Sequence, residues 1–267
     1  VVIKNKWPEW KDTLVLAEKL GKAPRDVERE HLRKGVVPLR YQRNHDAISQ
    51  SDQIRLMDSR VGVCGCGALG LYVVNYLARL GVGHITIWDP DVFRESNLNR
   101  QLFSSYETLG KSKVEICRAA IEQINPTVQI TAIPSRWEES DMATIRRQQV
   151  IVEALDDIPA RLALAQVCEE ENIPMVHGTI GGWYGQLTVI MPGDHSLQGM
   201  YKDSSSYSFE ENEGALSFTA ALLAGMQAAE AIKLLLNWES ELRHTVYIVD
   251  LLNLDIERIF KDDLIED

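Results

Sequence analysis

The sequence predicts an α/β, doubly wound fold: a mainly parallel, Rossmann-like sheet extended by antiparallel C-terminal strands and preceded by a short N-terminal helical appendage. Three observations carry this. From Arg60 onward, short apolar runs alternate with longer helical segments, the rhythm of right-handed crossovers in a parallel sheet covered on both faces. The first run ends in a glycine turn, "GCGALG", that opens a helix. After Gly178 the rhythm breaks, and the chain closes with a strand, a long apolar helix and two further strands.

Taken in order, residues 8–34 read as two short helices separated by Gly21 to Pro24, each with an apolar stripe and charged outer positions. Residues 1–39 are therefore expected to form a helical arm and 40–267 the main domain. A polar connection with a helical stretch near Ser51 to Met57 leads into the alternating region. Strands are predicted at 60–65, 84–89, 128–133, 150–155 and 175–180, and helices at 68–80, 112–124, 139–148 and 160–172. "GQLTVIMP" is a further strand, and 193–216 is a polar, acidic loop of the length that often forms a lid. The most apolar helix follows at 217–236, and residues 244–260 read as two closing strands joined at a turn.

Composition bounds the function. With 45% hydrophobic and 25% charged residues, the 267-residue chain matches an ordinary globular protein with a sizeable core. A net charge of -11 opposes phosphate backbones and anionic membranes, so neither nucleic acid nor membrane is expected as a partner. No apolar run approaches the ~20 residues of a membrane span, and "VVIKNKWPEW" lacks the apolar core of a signal peptide. A cytoplasmic location is expected. Four cysteines are few for a disulfide scaffold, and Cys64-Gly65-Cys66 lacks the second pair that a structural zinc site needs, so no zinc is expected.

The glycine turn carries the first chemistry. Gly65, Gly67 and Gly70 form G-x-G-x-x-G between a strand and a helix, where backbone N–H groups and the helix N-terminus receive phosphate. The next strand ends in Asp89, 19 residues past Gly70, placed to accept hydrogen bonds from ribose hydroxyls. A nicotinamide-dependent oxidoreductase fits these features alone. It has no use, however, for the guanidinium of "ESNLNRQLF" beside the crevice. Arg100 and the Lys113 that follows can meet a triphosphate with a bidentate fork and a point charge, which argues for ATP. In "EALDDIPAR", Asp156 emerges at the carboxyl edge of the sheet, where it either holds Mg2+ against the phosphates or caps the next helix. Asp157 is the other candidate cap, and Arg161 is expected to brace the turn.

The order of "RVGVCGCGALG", "DPDVFRESNLNRQLF", "LGKSK", "INP", "LDDIPAR" and "GQLTV" resembles the ThiF, MoeB and HesA adenylyltransferases of the ubiquitin-activating superfamily, over roughly residues 40–250. The resemblance implies binding of ATP and Mg2+ and adenylation of a C-terminal carboxylate on a small ubiquitin-like sulfur carrier ending in Gly-Gly. By that resemblance Asp89 holds the ribose, Asn97, Arg100, Gln101 and Lys113 contact phosphate, and Asp156 is associated with magnesium. Arg43 of "RYQRN" matches an arginine that in relatives reaches across a homodimer, with Asn44 standing where the family has glutamine.

The chain also departs from that pattern. It lacks the two C-x-x-C motifs of zinc-bearing relatives and the cysteine that some place in the loop before the long helix. Cys168 sits beside three glutamates whose charge would raise its pKa, so the chain is expected to stop at the adenylate. His177 reads as a core or dimer residue, His195 as solvated, Trp183 and Tyr184 as crevice wall or packing, and Glu210, Glu211 and Glu213 as solvating the loop. Adenylation of a peptide or another carboxylate, and a non-catalytic nucleotide-binding scaffold, stand as alternatives.

Overall fold

A computed structural model of the chain describes residues 7–140, 142–202 and 213–264. Its strands form one sheet in the order β3-β2-β1-β4-β5-β6-β7-β8. β1 (Arg60–Cys64), β2 (His84–Trp88), β3 (Gln129–Ile133), β4 (Val150–Glu153) and β5 (Met175–Gly181) are parallel. Strand order reverses between β1 and β4, which opens a crevice at their carboxyl ends. Val61 pairs with Ile85 on one side and Val150 on the other. All of β1 after Arg60 is buried, as is all of β4, and both strands accordingly read as continuous apolar runs.

Side chains leave these central strands alternately, and two cores result. Val61, Val63, Val150 and Val152 face α4 (Gly70–Arg79), α5 (Lys113–Ile124) and the long helix Ser217–Leu236. Cys64, Trp88 and Ile151 face α6 (Met142–Arg146) and α7 (Ile158–Glu170). The predicted helix at 139–148 is shorter than expected, because residues 137–139 form a 3-10 turn and Ser140 accepts a hydrogen bond from the Trp88 indole.

The remaining strands are antiparallel: β6 (Tyr184–Ile190), β7 (Thr245–Asp250) and β8 (Asp255–Phe260). A tight turn through Gly182, at φ 52°, reverses the chain between β5 and β6. A short helix, α8 (Ser196–Met200), replaces the first part of the expected loop; Leu197 is buried and Asp194 Oδ1 accepts from Ser196 N at 2.9 Å. The middle of that loop, including Glu210 and Glu211, lies outside the described residues.

Ser217–Leu236, here α9, corrects one expectation. This 20-residue helix is long and apolar enough to cross a membrane, yet most of it is buried within the fold. Its partners explain the composition. An added Cβ at Gly185 would lie 2.6 Å from Leu223, and one at Gly178 would lie 2.6 Å from Gln227, so these two glycines let the helix lie close on β5 and β6. Truncating the fully buried Leu223 to alanine would cost about 2–5 kcal/mol.

The arm contains the two expected helices, α1 (Trp10–Leu20) and α2 (Pro24–Arg33), with Gly21 ending the first in a left-handed conformation and Pro24 opening the second. Leu32 and Val37 bury themselves with Tyr41 and with Met57 of α3 (Gln50–Asp58). Arg25 donates to Met57 O and lies 2.9 Å from His84 Nε2. Arg40 pairs with the buried Glu28 at 2.9 Å and reaches Asn125 Oδ1 at 3.2 Å.

Candidate nucleotide-binding site

The glycine turn is built by close approach. Gly65 has φ 97°, and a Cβ there would lie 2.3 Å from Ala154 O on β4's exit. At Gly70 a Cβ would lie 1.8 Å from Gly65 O, so the helix can begin this near the strand only without one. Gly67 differs: a Cβ would meet only Gln101 Nε2, at 3.8 Å.

Asp89 locks the turn to the second strand. Its Oδ2 accepts from Cys66 N at 2.7 Å and its Oδ1 from Asp91 N at 2.8 Å. A carboxylate has about four lone-pair sites, so both oxygens retain capacity for ribose hydroxyls. Burial pushes the Asp89 carboxyl above its ordinary range, and the Lys113 charge and the two backbone bonds oppose that rise.

Lys113 is the first residue of α5, where the helix dipole disfavours a cation, and it is nearly buried. It is held there by anions, Asp91 Oδ2 at 2.9 Å and Asp89 Oδ2 at 3.9 Å. Arg100 donates to Ser96 O at 3.0 Å and to Asn99 Oδ1 at 2.9 Å, and it has no carboxylate partner among the described residues. Gln101 is buried, with its Oε1 lacking a hydrogen-bond partner. Asp156 is exposed, and no hydrogen bond or ion pair engages it among the described residues. Capping falls instead to Asp157, whose Oδ2 accepts from Ala160 N at 2.9 Å. Of the two acids of "LDDIPAR", Asp157 is thus the cap, and Asp156 is left without that role.

These groups line one cavity of about 390 Å³ at the β1/β4 switch point, among them Gly65, Gly67, Asp89, Arg100, Gln101, Lys113 and Asp156. Three expected residues are elsewhere. Gly70 starts α4 and does not itself line the cavity. Asn97 is buried and its Oδ1 accepts from Arg94 N at 2.9 Å, so it shapes the loop that carries Arg100 and does not line the cavity. Arg43 is exposed and also lies outside the lining. Conversely, sequence reasoning missed Asp91, Trp88 and the run Arg136 to Glu138. The last three follow β3, and only the pairing of β3 with β2 brings them to the crevice.

The charge balance defines what fits. The lining holds five carboxylates, Asp89, Asp91, Glu138, Asp156 and Asp157, against three cations, Arg100, Lys113 and Arg136. A triphosphate, with close to four negative charges, therefore needs a divalent cation, and the unpaired carboxylate of Asp156 is a hard oxygen donor suited to hold Mg2+.

The other singled-out residues lie outside the cavity lining. His177 is fully buried, with Nδ1 2.5 Å from Glu153 Oε2. Arg161 braces the turn by donating to Leu155 O. His195 is largely exposed, 3.8 Å from Glu169. Trp183 packs on Phe218 with ring centroids 4.9 Å apart, and neither it nor Tyr184 lines the cavity. All four cysteines are buried; burial pushes the Cys117 and Cys168 thiols up to about 12 and those of Cys64 and Cys66 well above their ordinary range. For Cys168 the cause is desolvation and not the glutamates beside it.

Fold and site together define a class: a doubly wound nucleotide-binding domain whose crevice is furnished for a polyphosphate, with an antiparallel extension of its sheet. Residues 41–263 match the model of the ThiF family, and the chain belongs to that family. The SAMP-activating enzyme E1 of Haloferax volcanii is 31% identical over 218 residues, covering 80% of this chain and 81% of the relative. The molybdopterin-synthase adenylyltransferase of Escherichia coli is 32% identical over 189 residues, covering 68% and 75%. The crystal structure of E. coli MccB with ATP superposes with a TM-score of 0.68 at 20% identity, covering 83% of this chain and 70% of that one, a likeness of fold.

Proposed function

We propose that the chain is an adenylyltransferase that activates the C-terminal carboxylate of a small ubiquitin-like sulfur carrier with a Gly-Gly tail, using ATP and Mg2+ and releasing pyrophosphate. The observation that carries this is the convergence of Arg100, Gln101, Lys113 and the unpaired Asp156 on the glycine turn. The family relatives named as SAMP-activating and as sulfur-carrier adenylyltransferases support the same reading.

A carboxylate oxygen attacks the α-phosphorus, the bond to the bridging oxygen breaks, and pyrophosphate departs with the electron pair. Both reactants are anionic, so the site must offset charge and hold the attack in line. The N–H groups of the Gly65 to Gly70 turn receive phosphate oxygens, Arg100 supplies a bidentate fork, Lys113 a point charge, and Gln101 a neutral amide. Asp89 orients the ribose. Asp156 would hold Mg2+, which supplies charge neutralisation along the phosphates when bound. No cysteine of this chain is exposed for a thioester, so the adenylate passes to a separate nucleophile or sulfur donor.

Arg43, exposed and away from the cavity, supports a homodimer in which it serves the neighbouring site. We infer a cytoplasmic location, where reduced thiols and ATP are both maintained.

ATP–pyrophosphate exchange with a panel of Gly-Gly-terminated carriers tests the proposal. Arg100→Ala and Asp156→Ala should each lower exchange by roughly 10²–10³, about 3–4 kcal/mol. Near-normal exchange in either variant would refute the assigned roles.

A further inference from the structure

Beneath the cavity lies a closed polar ring that the chemistry above does not use. Glu153 ends β4 and His177 stands opposite it on β5, both fully buried. Arg161 of α7 brings its Nε to 3.2 Å from Glu153 Oε2, and Tyr201, next after α8, completes the ring. The hydrogens have a consistent placement. Arg161 Nη1 donates to Tyr201 Oη at 2.6 Å, the Tyr201 hydroxyl donates to His177 Nε2 at 3.4 Å, and His177 Nδ1 donates to Glu153 Oε2 at 2.5 Å. Burial would push the Glu153 carboxyl up, but the Arg161 charge and the His177 hydrogen bond outweigh it and hold the pKa low; burial keeps His177 neutral.

The ring reaches toward the site through Leu155. Glu153 Oε1 accepts from Leu155 N at 2.6 Å, while Arg161 Nη2 donates to Leu155 O. Both backbone polar groups of Leu155 are thus gripped by one buried ion pair, and the next residue is Asp156. Gln227 of α9 adds a bond from its Nε2 to Glu153 O at 2.8 Å, so the strand end is fixed from both faces of the sheet. A buried ion pair contributes little net stability compared with apolar side chains of similar size, so packing alone does not call for this arrangement. Groups that orient a metal-binding carboxylate from behind typically alter metal affinity when removed.

Resting on the adenylation reading, we propose that Glu153, Arg161, His177 and Tyr201 are positioning residues that clamp the Leu155–Asp156 peptide and so fix the Asp156 carboxylate for the divalent cation. Tyr201 is the member to perturb first, because Tyr201→Phe keeps the ring that packs edge-on to His177 and under Arg161.

The experiment titrates Mg2+ in two assays on the full chain. In ATP–pyrophosphate exchange, Tyr201→Phe should raise the Mg2+ midpoint roughly 10-fold while exchange at saturating Mg2+ stays within about twofold of wild type. In thermal unfolding with ATP, the Mg2+ concentration needed for half of the ligand-induced rise in Tm should move by the same factor, while the rise with ATP alone is unchanged. Glu153→Gln should move the midpoint further; where it fails to fold, Tyr201→Phe decides. A lowered Tm with an unmoved Mg2+ midpoint marks a merely structural ring and overturns the inference. Wild type that gives no exchange with any carrier refutes the adenylation reading instead, and the unfolding assay, which needs only nucleotide binding, still decides the role of the ring.

Discussion

Replacing Gly67 with alanine separates what the fold requires from what the ligand requires. The added methyl would meet only Gln101 Nε2 at 3.8 Å, an ordinary contact, and Gly67 does not have a left-handed φ. The fold therefore tolerates it, and the smaller unfolded-state entropy of alanine offsets any strain by about 0.4–1 kcal/mol. Tm should stay within roughly 4 °C of wild type. The nucleotide is another matter. A phosphate oxygen must come to about 2.9 Å from a backbone N–H to be hydrogen-bonded, whereas a methyl holds neighbouring atoms at about 3.5–4.0 Å. Pushing the phosphates back by that margin forfeits about one charge-assisted bond at ~1.5–3 kcal/mol, which weakens ATP binding by roughly 10- to 100-fold. Gly65→Ala is the contrast. Its Cβ would lie 2.3 Å from Ala154 O at φ 97°, and strain of about 1–3 kcal/mol plus the clash should lower Tm by roughly 5–10 °C before any ligand is added. Calorimetric titration with ATP and Mg2+, paired with thermal unfolding, reads both quantities. If Gly67→Ala bound ATP as tightly as wild type, the phosphates would not rest on this turn and the site assignment would fail.

The arm should make the fold pH-sensitive. Burial pushes the Glu28 carboxyl up to about 7 from an ordinary 4.5, despite the Arg40 partner. Since the folded state holds this proton more tightly than the unfolded one, the associated stability is complete below pH 4.5 and lost as pH rises through about 7; at ~1.4 kcal/mol per pH unit the loss is roughly 3 kcal/mol. Urea unfolding from pH 5 to 8 should show this slope in wild type and a flatter one in Glu28→Gln; equal slopes would assign the proton elsewhere. Thiol chemistry gives a second check. With every cysteine buried and every thiol pKa raised, a thiol reagent at pH 8 should label none of them before unfolding, and Cys168→Ala should keep full ATP–pyrophosphate exchange. Rapid native labelling coupled to loss of exchange would reinstate a cysteine nucleophile.

The sequence displays the parts of this site that sit at strand ends next to a local motif. Gly65, Gly67, Asp89 and Asp156 were legible because each lies within a few residues of a recognisable strand terminus, and a doubly wound sheet gathers such termini at one edge; Arg100 and Lys113 lie well beyond the end of β2 and were legible from the polar run and the helix start that carry them. Asn97 was misleading for a physical reason: its amide oxygen is used by its own loop, and a polar side chain in a sequence does not reveal whether it faces a ligand or a neighbouring N–H. Arg136 to Glu138 depend on β3 lying beside β2, a pairing across more than forty residues that no local pattern announces. Glu153 read as one letter of an apolar strand, since its partners His177, Arg161 and Tyr201 come from three other segments. The five-residue helix α8 carries too few turns for periodicity to show. The long helix α9 has a composition that fits either a membrane or a core, and only the glycine-lined sheet beneath it tells which.

The twelve residues of α5 form a rod about 18 Å long with a different tenant at each end. Lys113 begins it inside the crevice, while Asn125 just past its last turn is grasped by Arg40 and by the Tyr41 hydroxyl at 2.8 Å, where the arm joins the body. Trimming the chain ahead of residue 40 would therefore strip Glu28 from Arg40 and loosen the heel of a lever whose toe carries the Lys113 amine in the crevice. What looks like a detachable preface in the primary structure is an anchorage for the machinery it precedes.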